Sequence, residues 1–297
     1  MIINGQNLRG LGVGFKANFT QGLGMAKADH LLIATEVPST TSKEEYGWLG
    51  QVPGMREWLG DRVVQNVALH DYTIKNRDFE LTIGVPRNAI KDDNYGVYAP
   101  LFQEMGRSTT AHPSQLCYPL MKAGFTSLCY DGQYFFDTDH PVLDEGGSEV
   151  SVANTDGGNG AFWCLFDDSR PLKPLIFQNR QKPVFEAKDN PDDENVWRRK
   201  EFEYGVDGRY NAGFGFWQMA WGSRQPLTPE NYEKARAALM SMKGDYGRPL
   251  GLNPRKLLVS PTLEGAGKRI VVNTKKDGGG DNEWAGTAEL VSSPWLA

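Results

Sequence analysis

Turn-forming residues are spread along the whole chain, and they limit its fold more than any other feature. The sequence has 34 glycines and 17 prolines among 297 residues. Because glycine and proline interrupt long helices and favour turns, this distribution argues against a helical bundle and predicts many strands and turns. Apolar residues make up 39% of the chain, and a chain of this length can bury a sizeable core.

Charge and cysteine content exclude several classes of protein. The formal net charge is −5, and the most basic run, Arg198-Arg199-Lys200, lies between acidic residues. Proteins that bind duplex DNA through its phosphates normally have a basic face, so sequence-specific DNA binding is not expected. The chain has no run of about 18 apolar residues and no apolar N-terminal segment, so we expect no membrane partner and no signal peptide. Three scattered cysteines, Cys117, Cys129 and Cys164, fit buried thiols in a reduced compartment, the cytosol of the producing cell.

The first 36 residues resemble a helical arm more than a domain. Apolar residues recur there at roughly helical spacing: Leu8, Leu11, Phe15 and Phe19. Gly10, Gly12 and Gly14 weaken this helix. They do not suggest a nucleotide-binding loop, because no Lys-Ser/Thr pair follows them. We expect a weakly helical arm that packs on another element.

Residues 37–85 have the pattern of a long hairpin. Thr40 to Asp61 is rich in glycine and proline and carries Trp48 and Trp58. Residues 62–69 are β-prone, and apolar residues alternate with others from Phe79 to Val85, which is the period of a half-buried strand. An aromatic tip of about 20 residues is too apolar to lie in water, so we expect it to contact another subunit.

A helical stripe of apolar residues covers roughly residues 94–123. Pro113 interrupts the stripe and should kink or restart the helix. His112 lies on the stripe, and no second potential ligand follows one turn away. This favours a buried, hydrogen-bonded histidine over a metal ligand.

The remainder of the chain alternates between strand and helix signals. Residues 160–225 are rich in strand-forming residues and in glycines that favour bulges. The acidic segment 188–195 lacks the glycine and the final glutamate of a calcium loop, so a solvated loop is favoured. Thr228 is a predicted helix N-cap with Pro229 at the first helical position. The end of the chain, from Trp284, is expected to form a pair of strands.

The segment CYDGQYFFDTDHP, residues 129–141, places three aspartates, a histidine and a cysteine within thirteen residues. Asp137, Asp139 and His140 resemble the beginning of a hydrolytic metal site, but no histidine follows that would complete the ligand set. The structural interpretation is simpler. Asp131 and the following glycine form a tight turn, Asp137 and Asp139 cap backbone amides, and His140 with Pro141 closes an extended turn. We therefore predict structural roles for these residues, no cofactor and no enzymatic activity.

Several long segments resemble the major head subunits of Mu-like phages. The resemblance is carried by residues 37–107, which begin VPSTTSKEEYGWLGQVPGMREWLGD, and by LCYDGQYFFDTDHP, RPLKPLIFQNR, EFEYGVDGRYNAGFGFWQMAWGS and GLNPRKLLVSP. The similarity runs in order from about residue 1 to residue 297. Several long segments that agree in order are more specific than any single short motif.

This resemblance implies an α+β fold of the tailed-phage major-capsid type, which encapsulins share. The implied parts are an N-terminal arm at 1–36, an extended loop hairpin at 37–85, a peripheral domain at 86–225 with a spine helix at about 94–123, and an axial domain with C-terminal strands at 226–297. The division of the strands between 160 and 225 between the two domains is left open.

The implied function is self-assembly into hexamers and pentamers that form an icosahedral phage head around double-stranded DNA. The implied partners are other copies of the chain, a separate scaffolding protein, a maturation protease, a portal protein, a decoration protein, and DNA packaged without sequence specificity. We expect assembly in the bacterial host cytoplasm and a final location in the virion. The mildly acidic chain suits this function, because a shell that bound DNA tightly would obstruct packaging.

The tip of the extended loop hairpin is the predicted contact with a neighbouring subunit, because aromatic residues and arginine dominate interface energetics. The expected contact residues are Tyr46, Trp48, Arg56 and Trp58, with Glu57 and Asp61 placed for ion pairs. In the alternative interpretation, Trp48 and Trp58 pack within their own subunit. Two alternative functions are retained, an encapsulin-like protein compartment and a metal-dependent hydrolase centred on Asp137, Asp139 and His140.

Overall fold

The protein is described by a computed structural model that covers residues 2–47, 49, 72–92, 94–276 and 278–297. The α-helices of these residues are Gly5–Leu23 (α1), His30–Ile33 (α2), Arg87–Lys91 (α3), Ala99–Lys122 (α4), Glu194–Arg199 (α5), Pro229–Met240 (α6) and Glu264–Gly267 (α7), which continues into a π-helical turn at Lys268–Val272. The strands are Ala34–Pro38 (β1), Lys43–Glu45 (β2), Thr73–Lys75 (β3), Arg77–Pro86 (β4), His140–Leu143 (β5), Glu149–Val152 (β6), Thr155–Gly158 (β7), Trp163–Phe166 (β8), Leu175–Lys188 (β9), Glu201–Phe214 (β10), Ala220–Arg224 (β11), Lys256–Val259 (β12) and Glu289–Ser292 (β13). No helix in these ranges is both long and apolar enough to cross a membrane.

A four-stranded sheet in the order β1-β9-β10-β4 packs against helices α1 and α4. β1 runs parallel to β9, while β10 runs antiparallel to both β9 and β4. Side chains alternate along β10, so that Phe202, Tyr204 and Val206 are buried in one core. Glu203 and Asp207 lie on the opposite face, as the period of two requires.

Helix α1 is a regular helix of 19 residues and is more ordered than the sequence predicts. Its glycines cost helix stability, but its buried apolar stripe packs into the core beneath, and packing supplies most of the stability of helices in proteins. Asn4 caps the helix, accepting a hydrogen bond from the backbone N–H of Asn7 at 2.8 Å. The contact with α4 is backbone to backbone at Gly22 and Gly106, where no side chain fits.

Helix α4 lies within the predicted range 94–123 and runs for 24 residues through Pro113 without restarting. Of the two effects expected at this proline, a kink or a restart of the helix, the restart is wrong. The helix is held at both ends by packing, because Phe102 and Met105 belong to the core under α1, whereas Cys117 and Met121 belong to a second and larger core. Tertiary packing on both sides of the proline keeps the two halves in one element.

The second core lies around a five-stranded sheet in the order β13-β12-β8-β11-β7. Helix α6 contributes Tyr232, Ala235 and Leu239 to this core. It begins where the sequence predicts, with Thr228 as the N-cap that accepts from the backbone N–H of Asn231 at 3.3 Å.

The C-terminal segment contains one strand and not the predicted pair. β13 aligns parallel to β12, a distant part of the chain, and is followed by a 3-10 turn at Pro294–Leu296. The partner of β13 is therefore non-local, which a pattern of adjacent residues does not reveal.

The strands within residues 160–225 belong to two different sheets. β8 and β11 are antiparallel neighbours in the five-stranded sheet, while β9 and β10 are antiparallel neighbours in the four-stranded sheet. The chain therefore leaves the five-stranded sheet at β8, forms the long β9–β10 hairpin with α5 at its far end, and returns at β11.

The base of the predicted extended loop hairpin is visible where β2 pairs antiparallel with β3. Asn76 reinforces this base through hydrogen bonds to Ser39 Oγ and to the carbonyl of Thr41, both at 2.9 Å. The predicted strand at 62–69 lies outside the described residues. The alternating segment that ends at Val85 is confirmed as a strand, β4, and β10 is its partner in the sheet.

Candidate functional site

The segment 129–141 is organised around the carboxylate of Asp131. This carboxylate accepts hydrogen bonds from His140 Nδ1 at 2.7 Å, from Cys129 Sγ at 3.0 Å and from the backbone N–H of Gln133 at 3.1 Å. The turn that presents it uses Gly132 at φ +85°, a left-handed conformation that glycine adopts without strain. Burial alone would raise the pKa of the Asp131 carboxyl, but the hydrogen bonds from His140 and Cys129 outweigh it and lower that pKa.

His140 is fully buried, and its ring is stacked on Trp217 with the centroids 3.9 Å apart and an interplanar angle of 7°. It begins strand β5, so it does not close an extended turn as predicted. Among the described residues its Nε2 has no hydrogen-bond partner. The ring is therefore held by one hydrogen bond and one stacking contact, both inside the core.

The chemistry of Cys129 is that of a buried thiol. Burial, reinforced by the nearby Asp131 carboxylate, raises the pKa of this thiol well above its ordinary value. Burial also raises the pKa of the Cys117 and Cys164 thiols. Since a nucleophilic cysteine needs a lowered thiol pKa, none of the three is activated for catalysis.

The metal site considered from the sequence is not assembled. Asp137 accepts hydrogen bonds from the backbone N–H groups of Tyr134 at 3.2 Å and Thr138 at 2.7 Å, as a capping residue does. Asp139 is exposed and accepts from the hydroxyl of Ser151, and not from a backbone amide as expected. Neither carboxylate joins His140 in a ligand cluster.

Where the chain is described, one group of three potential metal ligands lies within 4.8 Å, and it consists of Cys129, Asp131 and His140. The distances from the Asp131 carboxylate to Cys129 Sγ, 3.0 Å, and to His140 Nδ1, 2.7 Å, are those of ordinary hydrogen bonds. Each donor and acceptor in these two contacts is matched, so the arrangement is accounted for by hydrogen bonding. The cluster fixes the connection between α4 and the strand β5.

The predicted contact residues fall into two groups. Tyr46 is 3% exposed, and its hydroxyl donates to Gln178 Oε1 at 2.8 Å inside the core of its own chain. Tyr46 is therefore removed from the predicted contact surface, because a buried tyrosine cannot reach a neighbour. The other predicted contact residues, Trp48, Arg56, Glu57, Trp58 and Asp61, lie outside the described residues.

His112 is hydrogen-bonded as predicted, but it is not fully buried as its position on the apolar stripe predicts. It is half-buried, with Nδ1 2.9 Å from the hydroxyl of Tyr210, and its ring packs edge-on against Phe79. Burial, followed by the charge of Arg77, lowers its pKa. These contacts attach α4 to the four-stranded sheet.

The structure also shows an exposed aromatic residue that the sequence pattern does not single out. Trp197, on α5, is 87% exposed and lies in the charged segment that follows the acidic residues 188–195. The signal in the sequence is a tryptophan within a run of charged residues, where a core position is not expected.

Comparison with known proteins identifies the family. A sequence model of the Mu-like prophage major head subunit gpT family matches residues 8–296. The chain belongs to this family. The gpT-family chain is 40% identical over 306 residues to the major capsid protein of Escherichia phage Mu, and the alignment covers all of both proteins.

Solved capsid structures share the fold of this gpT-family chain. A chain of the procapsid of bacteriophage JBD30 is 44% identical, with a TM-score of 0.89 over 99% of this chain and 100% of that chain. A chain from the JBD30 capsid decorated with minor capsid protein trimers is 33% identical, with a TM-score of 0.76 over 93% of each chain. The α+β tailed-phage major-capsid fold implied by the resemblance is confirmed.

The gpT-family chain is therefore a major capsid protein with a structural role and not an enzyme. No comparison favours the encapsulin-like compartment or the metal-dependent hydrolase over this function. The hydrogen-bonded cluster around Asp131 agrees with it, because its thiol is not activated and its polar atoms serve the fold.

Proposed function

We propose that the chain self-assembles into hexamers and pentamers that close an icosahedral phage head around double-stranded DNA. The single observation that carries this proposal is the similarity over almost the full chain to a procapsid subunit, at 44% identity and a TM-score of 0.89. The site geometry supports a structural role, since the one group of three potential metal ligands in the described part of the chain is joined by internal hydrogen bonds.

The proposed division of the chain follows the two sheets. The arm corresponds to 1–36, the extended loop hairpin to 37–85, and the peripheral domain to 86–225 without β7, β8 and β11 and with α4 as its spine helix. The axial domain corresponds to 226–297, and we add β7, β8 and β11 to it because they share one sheet with β12 and β13. The long β9–β10 hairpin then belongs to the peripheral domain with α4.

The proposed contacts with neighbours include the extended loop hairpin, through Trp48, Trp58 and Arg56, with Glu57 and Asp61 in ion pairs. Support comes from the preference of interfaces for aromatic residues and arginine. A separate scaffolding protein, a maturation protease and a portal protein are proposed as further partners. A decoration protein is supported by the minor capsid protein trimers on the related JBD30 capsid.

DNA is proposed to be enclosed without sequence-specific contacts, because the chain carries a net charge of −5 and no basic block. Mild repulsion between the wall and the DNA phosphates allows the packaged strand to slide during filling. Assembly is proposed to occur in the bacterial cytoplasm, and the final location is the virion.

Negative-stain microscopy of the purified chain, alone and produced together with the head-assembly proteins of its phage, tests this function. Closed shells or capsomer rings are expected. A small monodisperse particle under both conditions would contradict the proposal. Extraction of the contents then distinguishes a phage head, which encloses DNA, from a compartment, which encloses a cargo protein.

A further inference from the structure

The far end of the β9–β10 hairpin presents an aromatic side chain that its own chain leaves uncovered. We call residues 189–200, which include α5, the distal segment. Trp197 within it is 87% exposed, the highest value among the exposed large apolar residues of the described chain. Tryptophan offers a large apolar area and is the residue type most enriched in interface hot spots, so its full exposure in an unassembled chain requires an explanation.

The direction of Trp197 is fixed by the residues beside it. Val196 is buried in the core under α1, and Asn195 is 3% exposed. The Asn195 side-chain amide donates to the carbonyl of Lys188 at 3.2 Å and to the carbonyl of Glu201 at 3.0 Å, which are the last residue of β9 and the first of β10. These hydrogen bonds attach α5 to the ends of both strands, and Trp197 points away from the core.

In the distal segment the acidic residues come first and the basic residues come last. Asp192 and Glu194 are exposed at its beginning, whereas Arg198 and Arg199 are exposed at its end. Helix-dipole stabilisation explains part of this order, but it does not explain an exposed tryptophan between the two groups. The ion pair of Arg198 with Glu194 at 2.7 Å is solvent-exposed and therefore weak, whereas Arg199 pairs at 3.1 Å with the partly buried Glu203. Arg198 and Glu194 can therefore exchange this pair for ion pairs with another molecule at little cost.

We infer that the distal segment is a contact surface between copies of this chain, with Trp197 buried against the neighbour and the acidic end of one segment facing the basic end of the next. A segment that carries both charges is complementary to itself in a head-to-tail arrangement, and such an arrangement closes into a ring when the rotation permits. The inference rests on the proposed function, since a shell repeats each subunit contact many times.

A second copy fits this surface better than an unrelated protein. The segment has four acidic residues at its beginning and three basic residues at its end, so the acidic end of one copy complements the basic end of another. A partner of uniform charge would be attracted by one end and repelled by the other.

The first experiment compares Trp197→Ala with Trp197→Phe in the chain produced together with the head-assembly proteins of its phage. We expect Trp197→Ala to raise the concentration needed for shell formation about tenfold, as the loss of an interface hot spot does. Trp197→Phe retains an aromatic ring and should assemble within about threefold of the wild type by the same reasoning. Light scattering against concentration gives the threshold, and circular dichroism verifies that both variants are folded.

The second experiment separates contacts between copies from contacts within one copy. One variant carries Asp192→Lys with Glu194→Lys, and the other carries Arg198→Glu with Arg199→Glu. Each of these single-sign variants presents a segment in which one sign of charge predominates, although Asp189, Asp193 and Lys200 are unchanged, and each alone should fail to assemble. An equimolar mixture should recover hexamer rings, in which acidic and basic segments can alternate, and no contact within a single chain produces this recovery.

The outcomes separate the two proposals. If the wild type forms no shells, the proposed function is overturned. If the wild type assembles and Trp197→Ala assembles at the same concentration, only the distal-segment contact is overturned. The contact is also overturned if Trp197→Ala forms normal shells that no longer bind a minor capsid protein, or if the single-sign variants assemble as the wild type does.

Discussion

The crossing of α1 over α4 leaves no space for a side chain, and substitution of Gly106 by alanine tests this directly. A Cβ at Gly106 would lie 2.1 Å from the carbonyl oxygen of Phe19 and 2.7 Å from the backbone nitrogen of Leu23. Real Cβ atoms essentially never come closer than 3.0 Å to such atoms. The two helix backbones must therefore separate by about 1 Å, since neither obstructing atom belongs to a flexible side chain.

Two opposing effects set the size of the change. Alanine is favoured over glycine inside a helix by about 1 kcal/mol. Overpacking in a close-packed core costs about 1–3 kcal/mol, and more where only backbone can yield. Separation of the helices also loosens the stack of Phe15 on Phe102, whose ring centroids are 4.2 Å apart. We expect a net loss of about 2 kcal/mol in the free energy of unfolding.

Chemical denaturation of the unassembled chain measures this loss, and α1 itself provides the control. Gly14 lies in the same helix with nothing within 4 Å of its Cβ position. Gly14→Ala should therefore stabilise the chain by about 0.5–1 kcal/mol. If Gly106→Ala were as stable as Gly14→Ala, the backbone contact between the helices would be refuted.

Three further substitutions test the core. Asp131→Asn should lower the free energy of unfolding by about 2–3 kcal/mol, because a buried charged acceptor is lost. Substitution of the exposed Asp139 by asparagine should change this free energy by less than about 0.5 kcal/mol. Equal losses for the two variants in denaturant unfolding would contradict the role of Asp131 in organising residues 129–141. Burial lowers the pKa of His30 from 6.5 to about 4. Because the unfolded chain binds the proton more readily, the free energy of unfolding should fall by up to about 3 kcal/mol as the pH is lowered from 6.5 to 4. If a His30→Leu variant lost the same stability over this pH range, His30 would not be the cause. Thr228→Ala removes the N-cap of α6 and should lower the free energy of unfolding by about 1 kcal/mol, as measured by thermal unfolding. An unchanged free energy would show that the cap does not stabilise α6.

Local chemistry determined what the sequence could predict. The start of α6 follows from Thr228 and Pro229 alone, because capping and a fixed φ act within one turn. The range of α4 follows from its apolar period in the same way. Residues 37–107 and the other family-like segments predicted the complete fold, which no local pattern supplies.

What the sequence did not predict depends on residues that are distant along the chain. Local propensity at Gly10, Gly12 and Gly14 predicts a weak α1 helix, whereas Gly22 is needed for close contact with a helix more than 80 residues away. Similarly, Asp137 and Asp139 adjoin His140 in the sequence, but the fold pairs this histidine with Asp131, nine positions earlier. The exposure of Trp197 depends on where the long hairpin ends in space.

The long β9–β10 hairpin also acts as a lever. Each of its strands has 14 residues, which corresponds to about 45 Å at about 3.3 Å per residue. Its base continues into β8 and β11 of the five-stranded sheet, and Trp197 lies at the opposite end. A rotation of about 5° at the base would displace the far end by about 4 Å at this length. If copies of the chain assemble as proposed, a small change in the angle between neighbouring subunits would be amplified at the end that carries the exposed tryptophan.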